Sequence, residues 1–562
     1  MSDITANMAR NLGSPMNCSG EYIKEVNEVI DFYKFYDGKP DSEDEINEET
    51  TYGQLWAIPS TLDYRPSREI RNHVKKLIHK QARFMFGVPP TITLKPFEAT
   101  QKDAAEQKRT VVEKVLEDSN FWANTFKAFI DCTVGKRVLL CATANPGEPI
   151  QFKYYKMSEF TYEVDPNDCT KLSSVQICYQ DESTVGKLKP DERWHKWTYT
   201  MKDGACYCLY QLVDGNGNAT VVEQQPVDEN GNELEGDPIK VPVESFFNTR
   251  FSQIPCKVIL NGGLTGDIRG TSDIKDLMDL ANSYNKVNSD YRDALRFKMF
   301  EQPVFTDADS ECLKKIKIAP NAIIDLKSDP TLGDGTGVGA RAQASMLSST
   351  FNFSQAAETY LDRLKKDMYE LMDQPLPEQL NNVPSGKALR FLFFDLIARC
   401  EEKWAEWNTA IKWIVSIIEE ACDLCNLYPE LQAKSAMKTL TNIVITHNYP
   451  IPEDEESKRT VAIQEVQANV MSHKTYIRKF GDVEDEEGEW EEIMEEQDEL
   501  NNSSNQGFMD TIDDELDEPI EPTKGPKQVA GEGTEEDEDD DENNKSKEGK
   551  PNGKSTKTTQ TR

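Results

Sequence analysis

The sequence predicts an α+β protein of several domains, and three observations carry that prediction. Apolar residues recur at i, i+3/i+4 in long stretches before residue 131 and again after residue 269. Between them, residues 137–260 switch to period two, in short runs rich in Val, Tyr, Trp and Phe. At roughly 100–200 residues per domain, 562 residues make about three or four domains or one interlocked architecture.

Residues 1–53 are polar and acidic, ending in "DSEDEINEET", and read as a flexible arm. In "YRPSREIRNHVKKLIHKQARFMFGVPP", Ser67 is placed to cap a helix, with Ile70, Val74, Leu77, Ile78 and Met85 as its apolar stripe and Gly87, Pro89 and Pro90 as its stop. Its other face, Arg68, Arg71, Lys75, Lys76, Lys80 and Arg83, suits solvent or an interface and, second to that, phosphate. A second helix is expected over 102–131. "RVLLCAT", "QFKYYKM", "FTYEV", "SVQICYQ", "WHKWTYT" and "ACYCLYQLV" are the strands of an antiparallel region, with turns at "DGNGN" and "DENGN".

"RGTSDIKDLMDLANSYNKVNSDYRDALRF", Arg269 to Phe297, is the most clearly marked helix. Asp273 and Asp276 sit in its first turn, where the helix dipole favours acids, and Ile274, Leu277, Ala281, Tyr284, Tyr291 and Leu295 form its stripe, with Asn288 as the polar position on that line. At 1.5 Å per residue it is roughly 40 Å long. A small α/β insert follows, closed by the glycine-rich "GDGTGVGA". A helix over 345–372, the loop "DQPLPEQLNNVPSGKA", a long helix over 385–426 and a short mixed segment lead to an acidic end.

Charge and cysteines narrow the function classes. From Gly481 onward 29 acids face 8 bases, a net of −21 out of the chain's −36. Residues 1–480 hold the other 71 acids and 56 bases, still a net of −15, which argues against broad, tight gripping of phosphates. The last 62 residues carry too little apolar surface to fold and read as a disordered tail. No apolar run approaches the ~20 residues of a membrane span, and the first residues have no signal-peptide core, so a soluble intracellular protein with reduced, mostly buried thiols is expected.

Catalytic motifs are missing or incomplete. No Gly-x-x-x-x-Gly-Lys-Ser/Thr phosphate loop occurs. The run Gly335 to Ala340 follows "SDPTL" rather than a parallel strand, and reads as a connector. Cys422 and Cys425 share one helical turn without the second pair that a zinc site needs. Asp214-x-Asn216-x-Asn218 and Asp228-x-Asn230-x-Asn232 lack the glycine and glutamate of a calcium loop and fit hairpin turns. No catalytic residue, metal ligand or cofactor site is assigned.

Several segments, in order, resemble the portal proteins of tailed bacteriophages, in the branch of long-tailed phages of Gram-positive hosts. They are "YRPSREIRNHVKKLIHKQARFMFG", "IPCKVILNGGLTGDIRGTSDIKDLMDLANSYNKVNSD", "VPSGKALRFLFF" and "PIPEDEESKRTVAIQEVQANVMSHKTYIRKF", with the acidic "VEDEEGEWEEIMEEQDE" after them. The resemblance implies a portal fold: a β-rich wing at 54–268, stem helices at 269–300 and 345–374, and an α/β clip at 301–344. It further implies a tunnel loop and long helix at 375–426, a helical crown at 427–500 and an acidic tail at 501–562. It also implies a ring of this chain, twelve subunits in the family, around double-stranded DNA at one capsid vertex. Terminase large subunit, major capsid and scaffold proteins and a head–tail adaptor are the implied partners, with no membrane, and the host cytoplasm is the place of assembly.

Twelve inner helices about 9 Å apart give a circumference near 108 Å, hence a radius of about 17 Å and a pore of roughly 24 Å, enough for a duplex. Each Lys/Arg–phosphate contact adds affinity, so a wall past which DNA slides should carry mixed charge. Asp276, Asp279, Asp290 and Lys286 are the expected channel residues of the stem, and Gln379, Asn381, Asn382 and Lys387 the expected DNA-facing residues of the tunnel loop. For Lys387, a solvated helix surface explains the residue equally well. The competing readings are another virion structural protein, such as a head–tail adaptor or scaffold, and a nucleic-acid enzyme. Adaptors are usually smaller chains, and an enzyme lacks its motifs here.

Overall fold

The computed structural model describes residues 14–16, 18–40, 51–62, 64–224, 239–299, 302–309, 327–328, 342–347, 352–380, 386–451, 455–481 and 488–497. Of the chain's beginning, the expected flexible arm is corrected in part. Gly20–Asp37 is a helix, α1, because Val26, Val29, Ile30, Phe32, Tyr33, Phe35 and Tyr36 give it an apolar face that is fully buried. Ser19 caps it by accepting from the Tyr22 amide at 3.2 Å.

The helix expected from Ser67 begins later, as α2 at His73–Phe86, with Asn72 as its cap (Oδ1 to the Lys75 amide, 2.9 Å). Strand β1 (Thr91–Pro96) follows. The helix expected over 102–131 is two, α3 (Lys102–Asp118) and α4 (Phe121–Gly135), broken where Asn120 takes a left-handed φ of 49°.

The antiparallel region forms as the period-two runs predict. Strands β2 (Arg137–Thr143) and β3 (Gln151–Lys156) begin it, followed by β4 (Phe160–Asp165), β5 (Asp168–Gln180), β6 (Trp194–Lys202) and β7 (Ala205–Val213). The hairpin β8 (Val221–Gln224) and β9 (Ile239–Pro242), then β10 (Glu244–Asn248) and β11 (Cys256–Leu260), complete it. They make a three-stranded sheet, β11-β2-β3, and a five-stranded one, β10-β7-β6-β5-β4. From Arg137 to Ala142 every residue of β2 is buried, as an uninterrupted apolar run requires. At the expected "DGNGN" turn, Asp214 Oδ1 accepts from the amides of Asn216 (2.9 Å) and Asn218 (2.8 Å). The "DENGN" turn lies outside the described residues.

Helix α5 (Ile274–Met299) forms where the helix of Arg269 to Phe297 is expected. Of the insert, the described part is a two-stranded sheet, β12 (Gln302–Thr306) against β13 (Gln343–Leu347), with the "GDGTGVGA" loop outside it. The helix expected over 345–372, α6, runs Ser354–Leu371, starting later than Ser345 because that residue pairs in β13. The expected long helix is divided by a turn at Phe393 into Gly386–Leu392 and α7 (Phe394–Cys425).

Two cores result. One joins α3, α4, both sheets and α7, with Phe86 against Trp404 (ring centroids 4.9 Å) and Trp407 (5.1 Å). The other joins α1, α5, α6 and the first half of α2 through Val29, Leu77, Ile274, Leu277, Ala281 and Met368. Helix α2 thus belongs to both, Val74, Leu77 and Ile78 to one and Phe84, Met85 and Phe86 to the other. Strand β14 (Thr441–Thr446) pairs with β1, a partner some 350 residues away in sequence.

The chain divides into two units, Met1–Asp454 and Glu455–Arg562. That boundary splits the expected crown: Leu427, Tyr428, Ala433, Met437 and β14 belong to the first unit's core. In the second unit, α8 (Glu455–Gln467) and α9 (His473–Phe480) are followed by a helical stretch over 488–497, and His473 packs on Trp490 at 5.8 Å. Residues 501–562 lie outside the described residues.

Candidate functional site

Helix α5, expected to be part of the stem, begins at the motif Gly270-Thr271-Ser272-Asp273. Gly270 has φ +71°, and a Cβ there would meet the Lys136 carbonyl at 2.5 Å, so the approach needs glycine. The Ser272 hydroxyl donates to the Val134 carbonyl at 2.7 Å and accepts from the Ile274 amide at 3.2 Å, capping α5 and pinning it to α4. Asp273 is buried and multiply bonded. Its Oδ2 accepts from Lys403 (2.8 Å) and Arg399 (3.1 Å) and its Oδ1 from Asn261 (2.8 Å). Burial alone would raise its pKa, but Lys403 and Arg399 outweigh burial and hold the carboxyl below its ordinary range. Arg399 also donates to the Leu371 carbonyl (3.1 Å) and to Asp373 (3.0 Å), so one α7 side chain joins the start of α5 to the end of α6.

Further along α5, Asn285, Ser289 and Asp293 stand at i, i+4, i+8 on one face. They accept the amides of Arg71 (3.0 Å), Glu69 (2.9 Å) and Ser67 (2.7 Å), alternate residues of an extended segment. This is why no helix starts at Ser67: its backbone is held straight against α5. Asn285 also donates to Gln54 at 2.8 Å.

The expected channel residues Asp276, Asp279, Lys286 and Asp290 are all exposed, on one face of α5. Burial and the neighbouring Asp293 raise the Asp290 pKa. Of the expected loop residues, Gln379 is exposed and its side chain accepts from the Leu376 amide at 2.9 Å, closing the turn of the short helix Pro377–Leu380. Asn381 and Asn382 lie outside the described residues, and Lys387 falls on the helix Gly386–Leu392. The base of the loop is fastened. Lys80 donates to the Pro375 carbonyl (3.2 Å), Gln374 to that of Leu77 (2.7 Å), and Lys365 pairs with Glu378 (2.6 Å). Lys80 lies 5.7 Å over the rings of both Tyr369 and Phe393, and burial together with Lys76 lowers its pKa.

The sequence marks Asp273 as a dipole partner but does not reveal Arg399, Lys403 or the polar ladder. No periodicity marks a charge whose partners lie more than 120 residues away. Among the described residues, the cysteines are free thiols, eight of them buried and two half-buried, and no helix is long and apolar enough to cross a membrane.

Comparison with known proteins gives three results. No curated protein matches the chain. Among solved structures, a chain described as "Virion of native gene transfer agent (GTA) particle" is similar at 11% identity and a TM-score of 0.33, over 74% of this chain and 94% of that one. The family model "Phage portal protein, SPP1 Gp6-like" matches residues 17–503, which include α1, both sheets, α5, α6 and α7. The chain therefore belongs to the SPP1 Gp6-like phage portal proteins and is a structural component of the virion.

Proposed function

We propose that this chain assembles into a ring of twelve at one capsid vertex and conducts double-stranded DNA inward during packaging and outward at ejection. The match over residues 17–503 carries this reading. The ring is a passive conduit without catalysis. In host cytoplasm it nucleates head assembly with major capsid and scaffold proteins. The clip, residues 301–344, docks the terminase large subunit first and the head–tail adaptor later. Asp276, Asp279, Lys286 and Asp290 form a lumen wall of mixed sign, which keeps any single phosphate contact weak. Gln379, Asn381, Asn382 and Lys387 approach the duplex, and shifts of their loop and of the stem gate it.

Native mass and negative-stain imaging of the purified chain, alone and with scaffold protein, test the reading. Rings of about a dozen subunits with a central hole are expected. A persistent monomer or dimer in both conditions would sink the channel and favour an adaptor.

A further inference from the structure

A cleft of about 700 Å³ opens between α5, α6 and the extended segment at Glu69 and Arg71. Tyr284, Leu295, Leu361 and Met299 give it apolar walls, and Arg292 and Arg296 also line it, Arg292 pairing with Glu69 at 3.5 Å. Asn288 also lines it, only 8% exposed, and its Nδ2, itself buried, has no hydrogen-bond partner among the described residues. A buried amide donor left unsatisfied is destabilising, so an acceptor that entered this cleft and reached Asn288 would relieve that cost.

The other side of α6 carries the complementary shape. Phe353, Tyr360 and Leu371 are 48%, 44% and 41% exposed. Their spacings of seven and eleven residues put them on one helix face as an apolar ridge. Asp362 lines the cleft, and Tyr360, two residues away, lies about 200° round the helix from it. Ridge and cleft therefore face opposite ways and cannot meet within one chain. They do share a height. The Tyr291 hydroxyl donates to Glu358 at 2.8 Å, while Asp273 and Asp373 both bind Arg399, so α5 and α6 run antiparallel and Asn288 lies level with Tyr360.

In a closed cyclic ring, one face of each subunit packs on a different face of the next, at equal height along the axis. We propose that Tyr360 of each subunit enters the Asn288 cleft of its neighbour. Its hydroxyl accepts from Asn288 Nδ2 once that amide turns outward to meet it, and its ring packs on the apolar wall that Tyr284, Leu295 and Leu361 provide. This assignment rests on the ring reading above and names the stem contact that closes the ring.

Two measurements on the full chain test it. Tyr360→Ala should raise the concentration for half-assembly at least tenfold by native mass, and Tyr360→Phe only a few-fold, with thermal melts of the monomers unchanged. The double variant Asn288→Cys/Tyr360→Cys, treated with a short bis-maleimide whose spacer replaces the lost tyrosine ring, should give a ladder of cross-linked oligomers, absent from wild type and from either single variant. Wild-type rings together with undiminished Tyr360→Ala assembly, or without the ladder, would overturn the contact and leave the ring intact. Wild type that forms no ring with scaffold present overturns both readings.

Discussion

Asp273 shows how a single side chain can tie the start of α5 to α7. Removing one partner of a buried ion pair leaves an uncompensated charge, so Asp273→Ala should cost about 3–5 kcal/mol in denaturant unfolding. Because its folded pKa is depressed, its stabilisation is present above the ordinary carboxylate range and is lost as pH falls through the folded value, a loss the variant should not show. Glu159 has the opposite sign. Burial raises its pKa, so the penalty for ionising it is absent in acid and grows as pH rises past about 4.5. Glu159→Gln should therefore be more stable than wild type at pH 7 and gain nothing at pH 4, as denaturation at the two pH values would register. The motif "GTSDI" was readable as a helix start, and Ser272 and Asp276 play that part. The burial of Asp273 was not readable, because Asn261, Arg399 and Lys403 come from other segments.

At the scale of elements, local chemistry set the β-runs well. "RVLLCAT" and "ACYCLYQLV" match β2 and β7 end to end, since alternation and turn residues are local signals. Helix α2 fared less well, because Ser67 and Asn72 are both good caps and only tertiary contact chooses between them. The polar ladder makes that choice. Ser289→Ala leaves the Glu69 amide without its acceptor and should cost about 1–3 kcal/mol, with faster proteolysis between residues 64 and 72. Asn72→Ala should cost about 1 kcal/mol through the lost cap, without that protease sensitivity.

At the scale of the molecule, the first unit is closed by its far end. Strand β14 covers β1, and Leu427, Tyr428 and Met437 fill the core beside α7. A chain ending at residue 454 should keep a cooperative melt, whereas one ending at 426 exposes β1 and should lose it, as circular dichroism would record. By itself the sequence determined the α+β class, six strands of the antiparallel region, the helix α5 and the resemblance to portal proteins. These rest on periodicity, turn chemistry and short motifs, all of which act within a few residues. Only the tertiary structure decided that α1 is core, that α2 starts at His73, that residues 427–451 join the first unit, and which charges are buried. Those outcomes depend on which distant groups satisfy a buried donor, acceptor or apolar face, and that pairing is fixed by packing.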